Sequence, residues 1–383
     1  MSIRGKAYIV GAYEHPERVI PDKSTSQITA EIAVGALSDA GLTLADVDGY
    51  YYCGDLLVGG LVMAEYLGLN LSYIDSTNVG GSSPLYHVGH AAAAIAAGKC
   101  NVALITLANR PRSANVSRPV TFSPDYSFVD VFGTNTVSQY ALAAQRHMYE
   151  FGTTSEQLAE VKVAASTHAQ YNPHALLRNV VTVEEVVNSR MMSDPLHLLD
   201  CCVVTDGGGA IVVVSPEVAR TLPRHKVKIL GQAEAPKHTM NGRVDLTFTG
   251  ARWSGPRAFE EAGVSHTDID YASIYDSFTI TVIETIEDLG FCEKGQGGRF
   301  VMEGGLQSPN GKLPFNTDGG GLCSNHPSRG GITKIIEAVR QLRGETAPEV
   351  QVPNCQLALV HGTGGSLGTR MGSSTLILGQ EDA

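Results

Sequence analysis

The chain lacks any concentration of basic charge. No run of lysine or arginine exceeds an isolated pair, and the formal net charge over 383 residues is −11. Phosphate backbones are gripped by a concentrated basic face, so a nucleic-acid partner is excluded. The seven cysteines (Cys53, Cys100, Cys201, Cys202, Cys292, Cys323, Cys355) include no CxxC pair. Neither a disulfide framework nor a zinc site is indicated, and reduced thiols in a cytoplasmic protein fit best. No metal site is expected. The most apolar stretch, around residues 91–97, is too short to cross a bilayer, so no membrane is expected. The first ten residues carry charge but no long apolar segment, which excludes a signal peptide. No GxGxxG follows a strand pattern, so a Rossmann-type cofactor has no support.

Glycine is plentiful, with 42 residues gathered in short clusters of the kind that form tight turns and close backbone approaches. Hydrophobic residues at 43% and charged residues at 17% describe an ordinary globular balance with material for a large core.

The chain also contains a second copy of part of itself. Residues 36–48 read Ala-Leu-Ser-Asp-Ala-Gly-Leu-Thr-Leu-Ala-Asp-Val-Asp, and residues 258–270 read Ala-Phe-Glu-Glu-Ala-Gly-Val-Ser-His-Thr-Asp-Ile-Asp. The Ala-Gly pair, the two Asp positions and the β-branched residue between them align without a gap. Each copy predicts a helix ended by a glycine, Gly41 or Gly263, followed by an apolar strand at 49–53 or 271–275. A second pair is Cys-Asn-Val-Ala-Leu-Ile-Thr at 100–106 and Cys-Gln-Leu-Ala-Leu-Val-His at 355–361. Both have the continuous apolar run of a buried strand, and each follows a helix opened by glycines, Gly80-Gly81 or Gly330-Gly331. Two α/β halves are expected, over residues 1–220 and 221–383. Residues 108–200 have a different, partly helical texture, with helix patterns at 136–149 and 155–171. They read as an insertion built on the first half.

Four motifs in order resemble the thiolase superfamily, and its sterol-carrier-protein type in particular. Leu198-Leu-Asp-Cys-Cys-Val-Val-Thr-Asp-Gly-Gly-Gly-Ala210 is similar to the segment closing the first half of those proteins. Asn325-His326-Pro327 resembles the family's Gly-His-Pro motif. Tyr275-Asp-Ser-Phe278 stands where the family has Asn-Glu-Ala-Phe or His-Asp-x-Phe. His361-Gly-Thr-Gly-Gly365 stands where it has a Cys-x-Gly loop. The resemblance covers essentially the whole chain. It implies an α/β thiolase fold, a duplicated five-layer αβαβα arrangement with an inserted loop domain. It also implies a homodimer and, by analogy with steroid side-chain aldolases, a small zinc-ribbon/OB-fold partner protein. The substrate would be an acyl-CoA, with coenzyme A part of the substrate and no tightly bound cofactor.

The departures from the family define the expected chemistry. The family's nucleophilic cysteine belongs in the turn Asp75-Ser-Thr-Asn-Val-Gly-Gly-Ser-Ser83, where this chain has none; Asn78 or Val79 falls at its position. Breaking a carbon–carbon bond beside a thioester requires stabilisation of an enolate. Only thiolysis also requires a thiolate to accept the acyl group. A chain keeping the first capacity without the second suits a retro-aldol step on a 3-hydroxyacyl-CoA. In that scheme His326 donates to the thioester oxygen. His361 or Tyr275 handles the β-hydroxyl proton. Asn78 lies at the nucleophile's place, and Gly80, Gly81, Gly362 and Gly364 supply backbone N–H groups to the ligand. The alternatives are a thiolase or acyltransferase using Cys323, three residues before His326, as a displaced nucleophile, and a non-catalytic acyl-CoA-binding subunit. Gly364-Gly-Ser-Leu-Gly368 matches a nucleophile elbow by accident, since no histidine follows it. His87 and His90 are three apart on a helix pattern with no carboxylate nearby in sequence, which points to packing rather than a metal.

Overall fold

The computed structural model describes residues 2–54, 58–114, 135–238, 244–368 and 370–382. Strands β1 (Tyr8–Glu14), β2 (Gly49–Tyr52), β3 (Tyr73–Asp75), β4 (Val102–Asn109) and β7 (Gly207–Val214) form the first half's part of the main sheet, while β5 (Met191–Ser193) and β6 (Leu196–His197) pair apart from it. Strands β8 (Val227–Lys237), β9 (Tyr271–Ile274), β10 (Leu357–Gly364) and β11 (Met371–Gly379) form the second. The order is β3-β2-β4-β7-β1-β8-β11-β10-β9. Within the sheet the two halves meet at a short antiparallel contact, Tyr8 with Lys228 and Ile9 with Val227.

Read outward from that seam, both halves repeat one plan. Two antiparallel pairings come first, β1 with β7 and β7 with β4, matched by β8 with β11 and β11 with β10. A parallel pairing follows, β4 with β2 and β10 with β9. The first half then adds β3, parallel to β2, and the second has a single parallel bridge from Ala272 to Phe315 in the same place. The repeat seen in the sequence is thus a repeat of topology.

Side-chain alternation sorts the core into three layers. On β4, Ala103, Ile105 and Leu107 face one cluster, while Val102, Leu104 and Ala108 face another. The first cluster is the centre of the molecule. There α3 (Ser83–Ala96) and the helix Gly331–Arg343 lie between the two sheet halves and bury Leu85, Val88, Ile332, Ile335 and Val339. The second cluster packs α1 (Thr25–Ala40) and α2 (Gly59–Leu67) outside the first half. The third packs the helices Ala251–Ala262 and Thr279–Asp288 outside the second half. Helix, sheet, helix, sheet, helix makes five layers, so both sheet faces are covered and the strands read as unbroken apolar runs.

Local chemistry sets the helix ends. A capping box between Ser24 and Gln27 opens α1, and Gly41, at φ 73°, closes it. Gly263, at φ 67°, closes the matching helix of the second half. Both sit in the left-handed region that glycine enters without a Cβ penalty.

The insertion leaves the first half at β4 and returns at β7, but it packs elsewhere. Its helices Thr136–Phe151 and Ser155–Ala169 bury Tyr140, Ala144, Leu158, Val161 and Ala165 in the second half's outer cluster. A buried His147 reaches Glu287 at 3.0 Å and Thr153 at 2.8 Å. Sequence order ties the segment to one half, whereas its apolar faces are covered by the other.

Candidate active site

The two central helices begin against each other. A Cβ on Gly331 would lie 2.2 Å from the Gly81 carbonyl oxygen, so these N-terminal turns meet at backbone contact. A Cβ on Gly364 would fall 2.0 Å from the Val79 carbonyl oxygen and 2.7 Å from the Gly81 nitrogen. A Cβ on Gly80 would come within 2.9 Å of Gly364 and Gly365. The β10 loop is therefore seated directly on the start of α3. Only glycine permits this approach, and it brings the unpaired N–H groups and partial positive charge of two helix starts to one place.

Tyr275 and His326 stand at that junction. The Tyr275 hydroxyl is 2.8 Å from His326 Nε2 and accepts the Gly330 N–H at 3.2 Å. The two rings meet edge to face at 5.6 Å. Burial drives the imidazole pKa down to about 4, with Asp276 opposing and Lys334 assisting, so His326 is neutral at physiological pH. Burial raises Tyr275 far above its usual value, and the Gly330 N–H partly opposes this. With that N–H on one lone pair of the tyrosyl oxygen, the phenolic proton is free to point at His326 Nε2 when the imidazole carries its proton on Nδ1. The packing of Gly81 and Gly330 fixes the tyrosine ring: a Cβ on Gly81 would sit 2.5 Å from its Cε2 and Cζ.

Charges behind the pair hold it in place. Asp276 accepts the N–H groups of Gly321 (2.8 Å) and Leu322 (3.1 Å) and pairs with the buried Lys334 ammonium at 2.9 Å. The His326 N–H donates to Thr205 Oγ1, whose hydroxyl donates to Asn325 Oδ1; the Asn325 amide in turn donates to Glu14. Burial pushes Glu14 up, but Arg18, Arg340 and Asn325 outweigh it and hold the carboxyl at about 2. No motif pointed to Glu14 or Lys334, whose partners Asn325, Arg340 and Asp276 lie tens to hundreds of residues away, and nothing within the 198–210 segment marked the hydrogen bond from Thr205 to the residue before His326.

The other expected residues occupy different surroundings. His361 and Tyr275 are offset by one position across the parallel β9–β10 pairing, in which His361 pairs with Ile274. Its carbonyl accepts the Tyr275 N–H at 2.9 Å, but its imidazole points to the opposite sheet face. There Nδ1 meets Thr375 Oγ1 at 2.9 Å, and burial lowers the pKa to about 3. Gly362, not His361, shares the Tyr275 face. Asn78 is exposed, and its Oδ1 accepts the Gly80 N–H at 3.3 Å in a local turn; the Cys53 thiol lies 4.0 Å from the same oxygen. Cys323 is fully buried in the short helix Gly320–Cys323, with Lys162 Nζ 3.1 Å from its sulfur. Burial raises its thiol pKa against the pull of that lysine.

Cys202 lies in the segment that leads into β7. Its N–H donates to the Ser277 carbonyl at 2.9 Å, and its thiol is close enough to Tyr275 to reinforce the upward shift there. Burial takes Cys202 itself up to about 12. Tyr140, from the insertion, stacks on Phe278 at 4.3 Å and joins the same wall. His87 and His90 do have carboxylate company in space. His90 bridges Asp75 at 2.6 Å and Glu234 at 3.1 Å, whereas the His87 ring is fully buried. Among the described residues no cluster of three or more His, Cys, Asp or Glu is arranged to hold a metal ion.

The family model "Thiolase C-terminal domain-like" matches residues 233–380. The chain is 34% identical to a steroid side-chain-cleaving aldolase of Thermomonospora curvata, over 94% of each chain. It is also 34% identical to an acetyl-CoA acetyltransferase of Methanothermobacter thermautotrophicus, over 91% of this chain and 93% of that one. The solved structure titled "Ltp2-ChsH2(DUF35) aldolase" superimposes with a TM-score of 0.90 at 33% identity, covering 99% of both chains. The chain therefore belongs to the thiolase superfamily, in its sterol-carrier-protein-type, thiolase-like branch without the nucleophilic cysteine. It is an enzyme of that superfamily.

Proposed function

We propose that this enzyme cleaves, and in reverse forms, the bond between Cα and Cβ of a 3-hydroxyacyl-CoA by a retro-aldol route through the thioester enolate. The observation that carries the reading is the Tyr275–His326 hydrogen bond at the meeting point of two helix starts, where no thiol occupies the opening turn of α3. The tyrosyl oxygen takes the β-hydroxyl proton as its own proton moves to His326 Nε2. The Cα–Cβ electron pair then passes into the thioester as an enolate, and the β-carbon leaves as a carbonyl compound. The partial positive charge of the two helix starts, at residues 80–81 and 330–331, favours the developing oxyanion in a site of low polarity. The proton held by the pair returns to Cα and releases the shortened acyl-CoA.

A tyrosine with its pKa raised is a poor base in bulk water. Here the Gly330 N–H and the two helix starts favour negative charge on its oxygen, and His326 accepts the proton in the same event. Two relatives of equal identity bear the names aldolase and acetyltransferase, so identity alone does not choose between them. The residue set favours the aldol reading. Cys323 has no exposed surface and is engaged by Lys162, which argues against its serving as the displaced nucleophile.

Coenzyme A enters this scheme as part of the substrate, with no tightly bound cofactor. The structural neighbour's title names a DUF35 partner. By extension, we expect this chain to act as a cytoplasmic homodimer with a small zinc-ribbon/OB-fold partner.

The test is incubation with a panel of 3-hydroxyacyl-CoA esters without free CoA, with and without that partner. A shortened acyl-CoA and a carbonyl product are expected, with Tyr275→Phe slower by at least ~100-fold, the lower end of the usual scale for a lost general base. Turnover only on addition of free CoA, or an acyl adduct on any cysteine, would overturn the reading.

A further inference from the structure

Lys162 is a lysine with almost no exposed surface, 1%, and no carboxylate partner among the described residues. Its amine contacts two groups: the Leu322 carbonyl at 2.7 Å and the Cys323 sulfur at 3.1 Å. A buried amine is normally matched by an anion or a full set of acceptors. Here the match is a thiol, itself 0% exposed and raised by burial. Neither group belongs to the Tyr275–His326 machinery. The sulfur and nitrogen are in direct contact, and only a small closing movement separates them from the distance that one bridging atom would impose.

We infer that Lys162 and Cys323 form a covalent modification site, an N–O–S bridge made with dioxygen as co-reactant. The pair carries three exchangeable hydrogens, however the proton is shared between amine and thiol. One S–O and one N–O bond form, and the O–O bond breaks. One oxygen atom remains in the bridge, and the other leaves as water with two of the hydrogens. Sulfur and nitrogen are each oxidised by two electrons, which together reduce one O2. Dioxygen is small and apolar enough to enter a site closed to larger oxidants, and burial protects the sulfur from the stepwise addition of oxygens open to exposed thiols.

The bridge would join the inserted helix Ser155–Ala169 to the helix Gly320–Cys323. That short helix supplies the Gly321 and Leu322 N–H groups that hold Asp276, the neighbour of Tyr275. Oxidation would thereby fix the insertion to the wall of the active site, and a thiol reductant would release it.

The experiment is high-resolution intact mass of the full chain, prepared without oxygen and then exposed to air, followed by peptide mapping. The expected product gains one oxygen and loses two hydrogens, maps to a cross-linked peptide pair containing Lys162 and Cys323, and reverts with dithiothreitol. Cys323→Ser and Lys162→Arg should each abolish it. The wild-type measurement decides the matter even if a variant fails to fold. Oxygen added to Cys323 without loss of two hydrogens would overturn the proposal. So would no mass change after exposure, or a bridge mapping to Cys201, whose thiol also feels the Lys162 charge.

Discussion

The Lys334 ammonium lies 2.9 Å from the Asp276 carboxylate, and both side chains are excluded from solvent. Lys334 comes from the first turn of the helix Gly331–Arg343, and Asp276 directly follows Tyr275. Their ion pair therefore ties the end of β9 to the helix start that feeds the site. Burial alone would push the lysine toward its neutral form, yet Asp276 and Asp318 outweigh it and raise its pKa.

Removing one partner should be far worse than removing both. Lys334→Met leaves Asp276 buried with backbone donors only, and a loss of roughly 3–5 kcal/mol is expected. The double variant Lys334→Met/Asp276→Asn should recover much of that loss. Urea unfolding of the wild type, both single variants and the double variant measures it. An additive double variant would mean that the two charges do not act as a pair.

Gly81→Ala tests the close approach at the helix junction. The added methyl would meet the Thr363 carbonyl oxygen and the Tyr275 ring, both at 2.5 Å. Neither can yield easily, since one is strand backbone and the other is held by His326 and Gly330. The fold should lose about 1–3 kcal/mol. Turnover should fall further than stability explains, because the ring carrying the reacting oxygen must shift. Unchanged kcat in a folded variant would show that the ring position does not matter.

His361→Ala separates the two faces of β10. Its imidazole is buried against Thr375 on the side away from Tyr275, so the expected result is a less stable enzyme, by about 2–4 kcal/mol, with kcat within tenfold of wild type. A collapse in kcat at unchanged melting temperature would instead place this side chain in the chemistry.

That contrast marks how far the sequence could be read. The internal repeat, the glycine ends at Gly41 and Gly263 and the paired apolar strands are local features, and the structure has all three. Tyr275 and His326 were both legible through motif context. Their hydrogen bond was not, because it joins a strand end to a loop 51 residues away. The face of His361 turns on a strand register of one residue, and a period of two reverses the side chain with a single step. The insertion misled for a related reason. Chain order shows where a segment is spliced in, whereas burial is settled by whichever apolar surface is left uncovered. Glu14 and Lys334 have no local signature, and Thr205, though inside the 198–210 segment, is tied to a partner 120 residues away, Asn325.

The His90 bridge predicts a pH dependence of stability. Hydrogen bonds to Asp75 and Glu234 raise its pKa to about 9 against the cost of burial, while an unfolded histidine titrates near ~6.5. The folded pKa is the higher one, so the stabilisation is fully present below about 6.5 and is lost as pH rises through about 9. Asp75 is shifted in the opposite sense: burial opposes ionisation, but His90 and Thr77 outweigh it and lower the pKa. Its contribution is present above the ordinary carboxylate range and lost in acid. The melting temperatures of wild type and His90→Gln should thus diverge most between the carboxylate range and about 6.5, and converge above about 9. A constant difference across that range would exclude a charged His90.

In the proposed scheme the acid limb of catalysis follows from burial of the Tyr275–His326 pair. His326 must be neutral to accept the Tyr275 proton, and its pKa is held down to about 4. An ordinary histidine base would give a rate that rises through about 6.5. Here kcat/KM should already be level by pH 5.5 and fall only toward pH 4, close to where the fold itself comes under acid stress. The phenol of Tyr275 is raised well above its usual value, so no alkaline limb should appear below about pH 10. The profile needs a control for acid unfolding, for which circular dichroism at each pH suffices. An inflection near 6.5 in a fully folded enzyme would mean that an exposed histidine acts as the base, and that the Tyr275–His326 pair only shapes the site.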